Sequence, residues 1–319
     1  MKIKNLFYSA MCLCLLSFAS CSKVGDKTNN FTTADPNAKQ HNQDVSDTKS
    51  ESDNVNTDVN NALTNMTTFG KNGQLQAISI CGATIDSSQQ NASPPSITIT
   101  FDGHTVCPNP NRIRSGTIKV ELISGTHWTD VGAQLRVTHT NYKVAFTDLS
   151  NHYVTFNGVK YLTDVNGINW ITLYLGSSTA TTRERSYNMQ VTFDNGQSES
   201  WNTARLSTWG INNQTEIYTV VNGDTSMNGQ TVDSWGITRF GTNFTTAMIQ
   251  PWKSNSTCGW WRPTSGEYTS TTTNFTVTVT FGVDASGNST AVNCGAYGFK
   301  LAWTLLPSNS TGTALVPYL

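Results

Sequence analysis

The chain has 319 residues, enough for one large or two modest domains, and 20 Lys+Arg against 21 Asp+Glu give a formal net charge of -1. Charged residues make up only 13%, about half of the ~25% common in soluble domains. Without clustered Lys/Arg the chain is not built to neutralise phosphates, which excludes nucleic acid as a partner, and no run reaches the ~18 apolar residues of a membrane span.

The first element is an address. Lys2 and Lys4 precede an apolar stretch from Leu6 to Ser20, the length of a secretion signal and too short for a spanning helix. It ends in Phe18-Ala19-Ser20-Cys21. Small residues ahead of a cysteine resemble a bacterial lipobox. That resemblance implies cleavage after a signal peptide of residues 1–20, lipidation of Cys21 and anchorage in the outer membrane, on its periplasmic or its cell-surface face. Two acyl chains hold a protein stably where one does not. Residues 21–67 are rich in Asn, Asp, Ser, Thr and Lys and nearly empty of large apolar side chains. Such a composition buries too little surface to offset its chain entropy, so a disordered tether is expected here. The folded domain then covers residues 68–319.

Of seven cysteines, Cys12 and Cys14 leave with the signal and Cys21 takes the lipid. Cys81, Cys107, Cys258 and Cys294 remain, an even number in an exported domain, with three possible connectivities. Cys81–Cys107 and Cys258–Cys294 are favoured, because each pair brackets one strand and its return. Each closed loop would stabilise by ~3–4 kcal/mol in the chain-entropy model. No Cys-x-x-Cys occurs, so no metal site is expected, and no cofactor. His104, three residues before Cys107, reads as an exposed turn histidine.

From about Ser96 to Leu306 the pattern has period two. Ser96-Ile97-Thr98-Ile99-Thr100-Phe101, Gly116 to Leu122 and Phe275 to Phe281 all alternate apolar residues with Thr, Lys or Glu, as strands with one face on a core do. Asn-Gly at Asn72, Asn157, Asn166, Asn195, Asn222 and Asn228, and Asp102-Gly103, supply hairpin signals. The expected fold is all-β: an antiparallel meander of about a dozen strands, either sandwich-like or a long twisted open sheet or half-barrel. The Cys-bracketed segments 80–125 and 256–306 resemble one another and suggest a pseudo-repeat around a central sheet.

Several segments together carry a wider resemblance. They are Ile97 to Gly103, Cys107, Arg112 to Ile118, Asn157-Gly158-Val159-Lys160, Ser200 to Arg205, and Cys258-Gly259-Trp260 onward to Cys294. In these the chain resembles a group of uncharacterised, all-β lipoproteins of Bacteroidetes-type bacteria. The resemblance implies envelope location and brings no activity to any residue.

Catalytic signatures are scarce. There is no Gly-x-Ser-x-Gly elbow, no His-Glu-x-x-His and no phosphate loop. His104, His127, His139 and His152 are scattered, and Asp194 and Glu199 flank the Asn195-Gly196 turn, where solvation accounts for them. The aromatics say more. Trp252, Trp260 and Trp261 cluster beside Cys258, and Trp201 and Trp209 flank Thr203-Ala204-Arg205. Exposed indole faces among Asn and Thr are the chemistry of a sugar site. Arg112 and Arg114 share one strand face, as do Arg183 and Arg185. Such pairs bind carboxylates or blunt an edge strand. The expectation is therefore a non-enzymatic, membrane-anchored lipoprotein, structural or a binding module, with a glycan or an envelope protein as partner. A carbohydrate-binding surface lipoprotein is the first alternative and an envelope hydrolase the second. Replacing Cys21 by Ala should move the protein from the membrane fraction to the soluble fraction; a variant that still pellets with membranes refutes lipid anchoring through Cys21.

Overall fold

The computed structural model describes residues 36–64, 79–108, 111–147, 152–168, 173, 179–212, 216–258, 262–290, 294 and 296–318. Among the described residues the principal elements are a long helix, α1 (Pro36–Thr64), and an antiparallel sheet. The first seven strands are β1 (Ala83–Asp86), β2 (Ser96–Cys107), β3 (Arg112–Ser124), β4 (Gln134–Phe146), β5 (Tyr153–Asp164), β6 (Ala180–Phe193) and β7 (Ser198–Asn212). They pair in chain order. Then come β8 (Glu216–Gly223), β9 (Thr225–Met227), β10 (Gln230–Ile237), β11 (Asn243–Asn255), β12 (Ser265–Thr272), β13 (Phe275–Val283), β14 (Gly298–Leu305) and β15 (Thr311–Pro317). From β11 to β15 the meander resumes.

Between β7 and β11 the meander is interrupted. β10 pairs with both strands at one end, and β8 pairs with both at the other. The four strands thus form a closed ring. At Gly223 the end of β8 meets β10, and a Cβ there would lie 2.6 Å from the Val232 carbonyl oxygen, so only glycine permits the approach. Of the two architectures left open, the single curled sheet is the one found; among the described residues no second sheet packs on it.

The Asn-Gly signals divide. Asn195-Gly196 turns β6 into β7, and Asn228-Gly229, both residues at positive φ, turns β9 into β10. Asn157-Gly158 and Asp102-Gly103 lie inside β5 and β2, at register shifts. Gly116 likewise sits at a bulge within β3. A bulge uses the same positive φ as a hairpin, so the dipeptide alone does not tell them apart. Asn72 lies outside the described residues.

Cys81 and Cys107 are bonded, as are Cys258 and Cys294. The first bridge encloses β1 and β2 and the second β12 and β13, so one Cys-bracketed unit stands at one end of the sheet and the other lies two strands in from the opposite end.

The largest departure from expectation is α1, which occupies most of the segment expected as a tether. Pro36 opens it, where a missing N–H costs nothing, and no Gly or further Pro interrupts it. Gln40 donates to Asp44 and Gln43 to Asp47, one turn on. Ala38, Val45, Val55, Val59 and Ala62 fall on one buried stripe. On either side of that stripe the buried positions are polar: His41, Asp44, Asp47, Lys49, Glu51 and Asp58. Residues 39, 43, 46 and 50 face solvent.

The sheet curls round this helix. Arg114 of β3 pairs with Asp58, and Tyr142 of β4 donates to Glu51. Lys160 of β5 donates to Ser52, which donates to Glu184 of β6. Arg205 of β7 meets Asp53 at 2.7 Å, and Asp233 of β10 meets Lys49 at 2.7 Å. Phe244 of β11, Ser270 of β12 and Phe275 of β13 surround His41. The polar segment stays folded because its charges are matched, not because it is apolar. Arg239 grips Asp44 with two hydrogen bonds of 2.7 and 2.5 Å, and both groups are buried. Arg239→Met should therefore destabilise by about 3–5 kcal/mol, by leaving a carboxylate buried alone, while Arg239→Met with Asp44→Leu should recover most of that loss. Urea unfolding of the two variants checks this; equal losses would mean that the pair is not coupled.

Candidate functional site

The helix fills the trough unevenly. Between its solvent-facing edge and strands β7, β8 and β11 to β14 there is a cleft of about 170 Å³. Ser46, Ser50, Asn54 and Thr57 of α1 form its rim. Trp252 and Tyr268 lie deep in it, and Phe281, Phe299 and Tyr318 continue the wall. These rings touch in sequence, with centroids 5.9–6.4 Å apart from Trp252 through Tyr268, Phe281 and Phe299 to Tyr318. Trp209 faces them from β7.

Local backbone features build the wall. β11 shifts register twice between Met248 and Lys253, and the bulges carry Trp252 to the inner face. Opposite it Gly266 has φ +129, and a Cβ there would stand 2.4 Å from the Trp252 Cα, so the close approach requires glycine. A further shift at Val232/Ser234 turns Asp233 inward to Lys49. The Lys49 ammonium then rests 4.2 Å from the Tyr268 ring centroid and 5.2 Å from that of Trp252. Burial draws the Lys49 amine down to about 8, against the pull of Asp233.

Two polar atoms in the cleft lining are buried with no protein partner: Thr219 Oγ1 and Asn56 Oδ1. The Asn56 amide nitrogen is engaged, donating to Glu184 at 2.6 Å. Deeper under the helix, a second, smaller pocket of about 20 Å³ is lined by Thr48, His139, Lys160, Glu184 and Trp201, among others. It has room for one water.

The residues singled out from the sequence scatter. Trp252 and Trp209 line the cleft. Trp201 is buried elsewhere, against Phe244, with its indole N–H given to Thr203. Trp260 and Trp261 lie outside the described residues, as does Cys21. Arg112 and Arg114 are on β3, an interior strand, so they blunt no edge. They do hold carboxylates, those of Glu51 and Asp58 on α1. Arg183 and Arg185 both meet Asp224. Asp194 is partly exposed, but Glu199, expected in solvent, is 1% exposed under α1. His41 lies between it and Ser270, 2.8 Å from the Ser270 hydroxyl and 4.0 Å from the Glu199 carboxyl. This Ser-His-Glu series has the order of a nucleophilic triad, but it is sealed from solvent, with Ser270 1% exposed. His104 is exposed, its side chain 80% accessible. Among the described residues, no group of three His, Cys, Asp or Glu side chains is arranged to hold a metal.

No sequence motif marks the helix half of the cleft or the wall beyond Trp252. One signal was available. Arg112 and Arg114 share the parity of Ile118, Val120 and Leu122, and Arg205 that of Trp201. A charge on the apolar parity of a strand announces a buried partner.

No family model matches this chain, and neither the curated proteins nor the solved structures contain a match to it.

The electrostatics of the helix–sheet seam give a pH profile. His152 bridges Asp47 on α1 (2.7 Å) and Asp194 (3.0 Å). The hydrogen bond to Asp47, with further help from Asp194, raises its pKa to about 9. His41 and His139 are lowered to about 3, chiefly by burial. The unfolded imidazole titrates near ~6.5. A raised histidine stabilises fully below that value and loses its contribution as pH rises toward 9. The lowered pair stabilise above it and lose their contribution as pH falls toward 3. Urea midpoints should therefore decline as pH rises from about 6.5 toward 9, and His152→Gln should flatten that decline. An unchanged decline in that variant would refute the role of His152.

Proposed function

We propose that the protein is a membrane-anchored, non-enzymatic binding module of the bacterial cell envelope, and that its ligand enters the cleft beside α1. The observation that carries this reading is the cleft itself: an aromatic wall from Trp252 to Tyr318 facing a polar helix edge, open along Ser46 and Ser50. Concave, largely apolar sites with a few placed polar groups are how proteins hold small ligands. The lipobox-like Phe18 to Cys21 supports anchorage. In this reading Cys21 takes the lipid, and the stretch between it and Pro36 spans at most ~50 Å when fully extended, which keeps the cleft near the membrane.

The hydroxyl described above as bonded to a histidine, that of Ser270, is sealed from solvent, which favours binding over hydrolysis. Thr182 lines the cleft at its sheet side, and Thr182→Trp would occupy the space without touching the buried ion pairs. Ligand-observed NMR of the purified protein against a panel of ring-sized metabolites should detect binders that Thr182→Trp loses, with its urea midpoint unchanged. Binders that persist undiminished in the variant would place the site elsewhere; an empty screen would count against a binding role.

A further inference from the structure

We infer that the ligand of this cleft is a single uncharged sugar ring, an inference that rests on the cleft being a binding site. Size gives the first argument. A cavity of roughly 150 Å³ holds one benzene-sized ring, and this cleft measures about 170 Å³. One six-membered ring fits, with any further units projecting past Ser46 and Ser50 into solvent.

Charge gives the second. The ionised groups of the lining already have partners within the protein. Lys49 pairs with Asp233 and Asp53 with Arg205, while Glu184 accepts from Ser52 and Asn56. A charged ligand would be desolvated without meeting a free counter-ion. A neutral one gives up little.

The unpartnered atoms give the third. Thr219 is 6% exposed, and its hydroxyl, like the Asn56 carbonyl oxygen, is buried without a protein partner. A hydroxyl can donate to the Asn56 oxygen and accept from, or donate to, Thr219. A purely hydrocarbon ring would leave both atoms as they are. Phe281, Phe299 and Tyr318 stand along the same cleft, and the C–H face of a pyranose packs against such rings while its edge hydroxyls reach the polar side. Asn56 belongs to α1 and Thr219 to β8, so the sugar bridges helix and sheet, and the site is incomplete without the helix.

The test uses the full-length protein in detergent, titrated by calorimetry and saturation-transfer NMR with glucose, galactose, mannose and N-acetylglucosamine, and with glucuronate and indole as counter-probes. At least one neutral sugar should bind, with glucuronate about tenfold weaker or worse. Thr219→Val removes only an unpaired hydroxyl and should keep the fold. It should cost the sugar about tenfold in affinity and leave any indole binding unchanged. Phe299→Ala should weaken both. Binding of indole with no sugar bound would overturn the sugar assignment and leave the cleft a binding site. Equal binding of glucuronate, or a Thr219→Val protein with unchanged sugar affinity, would overturn the assigned contacts and with them the inference. Failure of every probe, indole included, would remove the binding reading as well.

Discussion

The structure depends on the burial of a charged helix against a charged trough. Asp44, Asp47, Glu51, Asp53 and Asp58 on α1 meet Arg239, His152, Arg112, Arg205 and Arg114 respectively, while Lys49 meets Asp233. Any one of these groups left unpaired in the interior would be strongly destabilising. The partners offset only part of the desolvation, for burial still holds the Asp44, Asp47, Asp53 and Asp58 carboxyls above their ordinary range. The arrangement is selective more than it is strong: sliding the helix by a turn, or rotating it, would break these pairs and leave buried charges without partners. Complementary charge thus sets the register of α1, a task that its thin stripe of Ala and Val could not perform alone.

That register is what creates the cleft. The helix presses its polar flanks on β3 to β6 on one side, where Tyr142, Lys160 and Glu184 close over it. On the other side the sheet has been reshaped by the β8–β10 insertion and by the bulges of β10 and β11. Those irregularities aim Asp233 and Trp252 inward and widen the trough beyond the helix. Lys49 stands between the two regions, paired with Asp233 and resting over Trp252 and Tyr268, so the element that holds the helix also shapes the floor of the site.

A consequence concerns the two ends of the molecule. The helix nearest the proposed lipid site supplies one wall of the cleft, and strands β11 to β14 supply the other. Anything that loosens α1 from the trough therefore alters the cleft, and anything that bridges cleft and helix holds α1 in place. The two equilibria are linked by shared residues, and the linkage is reciprocal.

Much of the fold was legible in the sequence. Period-two alternation marked the strands of β2, β3 and β13, and the even number of cysteines, each pair bracketing two strands, matched the disulfides found. Local patterns suffice there because strand faces and loop closures are set by neighbours in sequence. The site was only half legible. Trp209 and Trp252 stand among the sugar-site candidates of the sequence, but α1 reads there as a tether, since composition counts apolar side chains and cannot count a carboxylate whose partner arrives from 56 to 195 residues away. Arg112 and Arg114 showed a carboxylate-binding pattern without showing that the carboxylates belong to the same chain. The sequence alone determined the all-β class and favoured the cysteine pairs found, because alternation and spacing are local. Only the tertiary structure decided that residues 36–64 are a buried helix and that a cleft lies beside it, because long-range charge pairing, which has no local signature, holds them there.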